Sequence, residues 1–148
     1  MVSKIDHFGI SVSNLDNSIN FYKNILGMNL KRKLTVIGEG IAKVNEFKGE
    51  GRVEIAILEL NNQFIELLEF KTPKGEQIQS ELKANQYGRT HLAFEVKDIK
   101  TVCSSLKKHG IVFTSTPMKM IPENFDIQCP VCTFFKDPDG VSIEILER

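Results

Sequence analysis

The chain repeats one pattern in its two halves, and this repeat constrains the fold more than any other feature. The segment 7–12 (HFGISV) begins the first half, and the segment 61–69 (NNQFIELLE) ends it. In the second half, 91–96 (HLAFEV) and 139–147 (DGVSIEILE) stand in matching places. An internal repeat of this kind indicates two copies of one supersecondary unit. We therefore expect a fold assembled from two equivalent modules.

Alternation and helical spacing predict a βαβββ order for the first module, residues 1–74. Residues 4–12 alternate, with apolar side chains on one face and His7 among small residues on the other. Asn14 is a good N-cap for a helix that ends at Gly27. The remaining strands are predicted near 31–37, 52–60 and 63–70.

The second module, residues 89–148, repeats this order. Its first strand begins at His91, and its helix is capped by Asp98 and ended by Gly110. The remaining strands are predicted near 111–115, 131–136 and 141–147. A connecting helix within 75–88, with Ile78 and Leu82 inward, and a loop over 116–130 complete the chain. The expected class is α+β, with two modules forming a curved mixed sheet around a central metal-binding cleft.

Composition places the chain among ordinary globular proteins. Its 148 residues are 41% hydrophobic and 26% charged, with a formal net charge of zero. No basic run stands out, so nucleic acid is not an expected partner. No stretch approaches the ~20 apolar residues that span a bilayer, and the N-terminus shows no apolar signal segment. We expect no membrane partner and a cytoplasmic location.

Each module contributes one His and one Glu in matching local frames: His7 with Glu66, and His91 with Glu144. Glu66 lies on an apolar strand face, where a charge is costly to bury without a partner. Both His residues lie on faces otherwise made of small residues, which leaves room for a ligand. Imidazole and carboxylate together suit one divalent ion, and Zn, Ni, Co, Mn and Fe all remain open.

These residues carry a resemblance to the vicinal oxygen chelate superfamily, which contains glyoxalase I, methylmalonyl-CoA epimerase, extradiol dioxygenases and drug-resistance proteins. The resemblance covers nearly the whole chain. Its motifs are the His7 strand, the helix with Phe21-Tyr22 and Leu26-Gly27, Ile65-Glu66-Leu67, the His91 strand, and Asp137-Pro138-Asp139-Gly140 with Ile143-Glu144-Ile145. It implies a small-molecule substrate, a homodimer, and the metal ligands His7, Glu66, His91 and Glu144.

The glyoxalase and epimerase branches share proton transfer next to a metal-bound carbonyl, through an enediolate or enolate. The resemblance implies Glu144 as the base. Glu54 resembles an acid of bacterial epimerases and is the second catalytic candidate, with a solvated strand carboxylate as its alternative. Ser11 stands where glyoxalase I usually has an arginine, and no feature predicts coenzyme A binding. The choice between the two branches stays open.

Two other function classes share this fold. An extradiol dioxygenase would use Fe(II) with two His and one carboxylate, and Glu66 argues against it by offering a fourth ligand. A non-catalytic small-molecule binding or resistance protein is the other class. The intact ligand set argues against that class.

The three cysteines form an odd set that does not indicate a disulfide scaffold. Cys129 and Cys132 have the spacing of half a zinc site or a redox pair. No second pair completes a zinc site, and the motif precedes a strand rather than a helix N-terminus that would activate a thiol. Cys103 is predicted to be a helix core residue.

Overall fold

Each half of the chain folds into a four-stranded mixed sheet with a helix after its first strand. The computed structural model describes residues 1–77, 83–119 and 130–148, and it divides into two compact units, Met1–Ser80 and Glu81–Arg148. The predicted α+β class with two βαβββ modules is confirmed. The cleft stays a prediction.

Unit 1 has the sheet order β1-β4-β3-β2, in which β1 runs parallel to β4 and the other pairs are antiparallel. The first helix continues directly into a π-helical segment. The elements of unit 1 are β1 Phe8–Ser11, α1 Leu15–Ile19, the π-helix Asn20–Ile25, β2 Asn29–Gly38, α2 Glu39–Val44, β3 Gly51–Leu60 and β4 Gln63–Thr72.

Unit 2 repeats this arrangement with the order β5-β8-β7-β6, and β5 runs parallel to β8. Its elements are β5 His91–Glu95, α3 Ile99–Lys108, β6 Met118–Lys119, β7 Val131–Lys136 and β8 Ser142–Glu147. No helix in the described parts of the chain is long and apolar enough to cross a membrane.

The two faces of the unit 1 sheet differ because side chains alternate along each strand. Ile10 pairs with Leu67, and Leu67 with Ala56. All three are buried, as is Leu15 of α1. We call this side, which packs against α1, the helix face. The other side, which carries Gly9 and Glu66 in register, is the open face. The same division holds in unit 2.

The predicted turn at Asn61 and Asn62 is confirmed, since both have positive φ, of 49° and 62°, as a two-residue hairpin turn requires. The predicted strand over 111–115 is wrong. Only Phe113 forms an isolated bridge there, with Phe135. The Thr133 hydroxyl donates to the Ser115 carbonyl at 2.8 Å, so side-chain bonding partly replaces a ladder.

The predicted connecting helix falls partly outside the described residues. Residues 75–77 and 83–86 are not helical, and Ile78 and Leu82 belong to the segment that the structure does not describe. The predicted loop over 116–130 contains the short strand β6, and its residues 120–129 are likewise not described.

A carboxylate from the last strand of each unit caps the helix of that unit. Glu69 Oε2 accepts from the Leu15 N–H at 2.9 Å, and Glu147 Oε2 accepts from the Ile99 N–H at 2.7 Å. The first N–H groups of a helix have no partner within the helix. The second Glu of each repeated Glu-x-x-Glu motif supplies a hydrogen-bond acceptor for one of these N–H groups. This bond joins the helix to the sheet.

Glu69→Ala and Glu147→Ala should each lower the free energy of unfolding by about 1–2 kcal/mol, because each removes a charged acceptor at a helix N-terminus. Urea unfolding followed by circular dichroism measures this. Glu95→Ala is the matched control, since Glu95 pairs only with exposed Arg148 at 3.8 Å among the described residues, and such pairs contribute little. Equal effects in all three variants would contradict the capping role.

The Glu69 variant should also change the acid stability of the protein. Burial alone would raise the pKa of Glu69, but hydrogen bonds from Lys71 and the Leu15 N–H hold that pKa below its ordinary value. A carboxyl with a lowered folded pKa stabilises the fold above its ordinary pKa, and the contribution disappears as the pH falls through the folded value. The difference between wild type and Glu69→Ala should therefore shrink in acid.

Candidate functional site

His7 and Glu66 face each other on the open face of unit 1. Gly9 of β1 lies in register with Glu66 of β4. His7 lies two residues before Gly9, so alternation directs its side chain to the same face. The distance from His7 Nε2 to Glu66 Oε2 is 3.4 Å, and the two side chains are 44% and 23% exposed. The first predicted His–Glu pair is therefore formed within one unit.

His91 and Glu144 form the equivalent pair in unit 2. Ala93 is in register with Glu144, as Gly9 is with Glu66, and His91 lies two residues earlier. His91 Nε2 is 3.2 Å from Glu144 Oε2, and the Glu144 side chain is 14% exposed. Phe134 lies in register with Glu144 and packs edge-to-face against the His91 ring, with centroids 5.6 Å apart.

The side chains of each pair offer atoms that are suitable ligands of a divalent ion. An imidazole nitrogen and a carboxylate oxygen converge in each case, and these are ligand types that Zn²⁺ and the other candidate ions accept. Within each unit, the described residues supply two ligand candidates and no third. Each pair is thus half of the predicted ligand set, and the four-ligand site stays a prediction.

Asp6 is a neighbour of the first pair that the sequence reasoning missed. His7 Nδ1 lies 3.0 Å from Asp6 Oδ2, and Lys4 Nζ lies 3.4 Å from Asp6 Oδ1. The hydrogen bond with His7, aided by Lys4, lowers the pKa of Asp6. A carboxylate at Nδ1 favours the proton there and leaves Nε2 free as a ligand. The only sequence signal was the Asp directly before His7.

Glu54 is not brought together with the His7–Glu66 pair. It lies in register with Glu69, whose carboxylate caps α1, so Glu54 belongs to the helix face. Its oxygens lie 3.3 Å from Arg52 and 3.9 Å from Lys71. The sheet of unit 1 therefore separates Glu54 from Glu66, and the expected catalytic role of Glu54 gains no support from this geometry.

The cysteines divide between described and undescribed parts of the chain. Cys103 is buried in α3, and burial raises the pKa of its thiol, in agreement with a core role. Cys132 is buried in β7. Cys129 lies outside the described residues, so the Cys129–Cys132 motif is not tested.

Comparison with known proteins confirms the resemblance. The sequence model of the Glyoxalase/Bleomycin resistance protein/Dioxygenase superfamily matches residues 4–145. A probable lactoylglutathione lyase of Synechocystis is 32% identical, over 95% of this chain and 92% of that protein. A mitochondrial methylmalonyl-CoA epimerase of Dictyostelium discoideum is 29% identical, over 99% of this chain and 80% of that protein. The crystal structure of a glyoxalase family protein from Bacillus cereus superimposes with a TM-score of 0.82 at 28% identity. The superposition covers 99% of this chain and 95% of that chain. The chain therefore belongs to the Glyoxalase/Bleomycin resistance protein/Dioxygenase superfamily.

Proposed function

We propose that this protein is a metal-dependent enzyme of the glyoxalase or epimerase type, which transfers a proton at a carbon next to a carbonyl. The observation that carries the proposal is the repeated His–Glu pair, with N–O distances of 3.4 Å and 3.2 Å. The relatives named lactoylglutathione lyase and methylmalonyl-CoA epimerase support this reaction class. The substrate is a small molecule, and the active form is a homodimer.

The proposed ligands of one divalent ion, which is Zn, Ni, Co, Mn or Fe, are His7, Glu66, His91 and Glu144. Glu66 and Glu144 are mostly shielded from water, with exposures of 23% and 14%. A shielded carboxylate needs a cationic partner. When bound, such an ion supplies Lewis acidity for the negative charge that develops on a carbonyl oxygen.

Glu144 is the proposed base. Its side chain is the less exposed of the two paired carboxylates, and Phe134 lies beside it in register. In the proposed step, a Glu144 oxygen takes the proton from the carbon next to the carbonyl. It then returns the proton to the neighbouring carbon; inversion at the same carbon would need a second acid on its other face.

A substrate panel tests the reaction class. Protein purified without added metal is analysed for bound ions and then assayed with hemithioacetals, acyl-CoA epimers and catechols, before and after chelation. We expect chelator-sensitive turnover of a hemithioacetal or an acyl-CoA, without consumption of oxygen. Oxygen-dependent cleavage of a catechol would contradict the proposal and indicate a dioxygenase.

Asp6→Ala should weaken metal binding by about 10–100-fold, the usual effect of removing a hydrogen-bonding partner of a metal-ligating histidine. Competition with a chromophoric chelator measures the affinity without an activity assay. Nitrogen chemical shifts of His7 in the metal-free protein should show loss of the Nδ1-protonated tautomer. Asp6→Asn retains an acceptor and should retain most of the affinity.

The matched control for Asp6 is Thr90→Ala, since Thr90 precedes His91 as Asp6 precedes His7. The structure records no Nδ1 partner for His91 among the residues it describes, so this change should leave metal affinity unaltered. An unchanged affinity in Asp6→Ala, or an equal loss in both variants, would remove the positioning role from Asp6.

A further inference from the structure

A β-bulge directs two neighbouring cations of β2 to the open face of unit 1. Leu30 pairs with Leu58, but Arg32 pairs with Ile57, so Lys31 is an extra residue in the β2–β3 ladder. A bulge changes the direction of the side chains that follow it. Ile57 is in turn in register with Glu66, so Arg32, Ile57 and Glu66 form one row across the open face.

The two cations differ in their partners. Lys31 Nζ lies 3.8 Å from Glu59 Oε2, whereas exposed Arg32 has no hydrogen bond or ion pair with any residue that the structure describes. The next residue of β2, Lys33, is also paired, with Asp16 at 2.6 Å. Arg32 is therefore a cation available to a ligand, in line with the His7–Glu66 pair.

We propose that Arg32 binds a carboxylate of the substrate and so selects anionic substrates, an inference that rests on the proposed metal-centred function. Strands lie ~4.8 Å apart, so the Arg32 and Glu66 backbones are separated by ~10 Å. Ile57 supplies an apolar surface between them. A substrate that fits this row has its reacting carbonyl near Glu66, a short apolar arm, and an anionic end at the guanidinium.

The charges around Arg32 favour a carboxylate over a phosphate. A single guanidinium binds a carboxylate with two parallel hydrogen bonds. Glu59 lies on the same face, and the hydrogen bond from the Asn62 N–H lowers the pKa of Glu59 and keeps it negative. Because Lys31 is paired with Glu59, a phosphate dianion would meet one available cation and a nearby negative charge.

Adipic acid monohydroxamate and its methyl ester test the proposal. A hydroxamate presents two neighbouring oxygens to a metal, and the two probes differ only in the negative charge at the far end. Calorimetric titration of metal-loaded wild type should show up to about fivefold tighter binding of the free acid, the usual effect of an ion pair at an exposed cation. Arg32→Gln should abolish this preference without changing metal content or ester affinity, and Arg32→Lys should restore part of it.

Lys31→Gln is the matched control, because it removes the neighbouring cation that Glu59 already neutralises. It should retain the preference for the free acid. Equal binding of the two probes by wild type, or an equal loss of the preference in both Gln variants, would overturn the role of Arg32 but not the metal-centred function. Failure of both probes to bind would overturn the metal-centred function and the role of Arg32 with it. Tighter binding of the matching phosphonate would overturn the choice of a carboxylate.

Discussion

Glu144→Gln should reduce turnover by about 10²–10⁴-fold, the usual effect of removing a general base, while bound metal stays close to the wild-type level. The amide has the same shape and retains one oxygen as a ligand, but it cannot accept a proton from carbon. Glu144 lies 3.2 Å from His91 Nε2 and is 14% exposed, and its two proposed roles, metal ligand and shielded base, rest on this position. A loss of turnover without loss of metal separates these two roles.

Exchange of the substrate proton with deuterated solvent, followed by NMR, measures the step itself. The substrate is the panel compound that wild type turns over. Glu54→Gln is the matched control, since Glu54 lies on the helix face with Arg52 and Lys71, and it should exchange at the wild-type rate. Wild-type exchange in Glu144→Gln would instead assign the base to Glu66.

His7→Ala and His91→Ala should each lower metal affinity by more than the ~10–100-fold expected for loss of a partner outside the ligand set. Each removes one of four proposed ligands and leaves the paired carboxylate without its nitrogen neighbour. Because the two pairs are repeat-equivalent, both variants should lose metal to a similar extent. Equilibrium competition with a chelator gives both affinities.

The third histidine of the chain supplies the control for these variants. His109 follows the last turn of α3 and is exposed, so His109→Ala should bind metal like wild type. Full retention of metal in His7→Ala or in His91→Ala would show that the two pairs do not share one ion.

The repeat and the alternation of apolar residues were sufficient to predict the βαβββ order and to assign one His and one Glu to each module, whereas the single four-ligand site stays a prediction. Gly9 and Ala93 lie opposite Glu66 and Glu144, and the small residues around His7 and His91 were visible in the sequence. Strand alternation fixes the face of a side chain from neighbours along the chain alone. That is why each His could be assigned to the open face.

Features that depend on pairing between distant strands were not predictable. The bulge at Lys31 exists only in the register of β2 with β3. Only the register of β3 with β4, which pairs Glu54 with Glu69, shows that Glu54 lies on the face opposite Glu66. The strand expected over 111–115 was wrong because partners in β7 bond to Thr114 and Ser115 outside a regular ladder. Alternating residues alone do not specify which edge a strand joins.

The number of ions bound by each chain tests the central claim most directly. Metal-free protein is saturated in turn with Zn, Ni, Co, Mn and Fe, desalted, and analysed by plasma mass spectrometry against amino-acid quantitation. One metal centre built from both His–Glu pairs predicts one ion per chain for at least one of these metals, also in a homodimer. Two ions per chain would mean that each pair binds its own ion. If no ion is bound with any of the five metals, the pairs are not a metal centre. Either result would contradict the account.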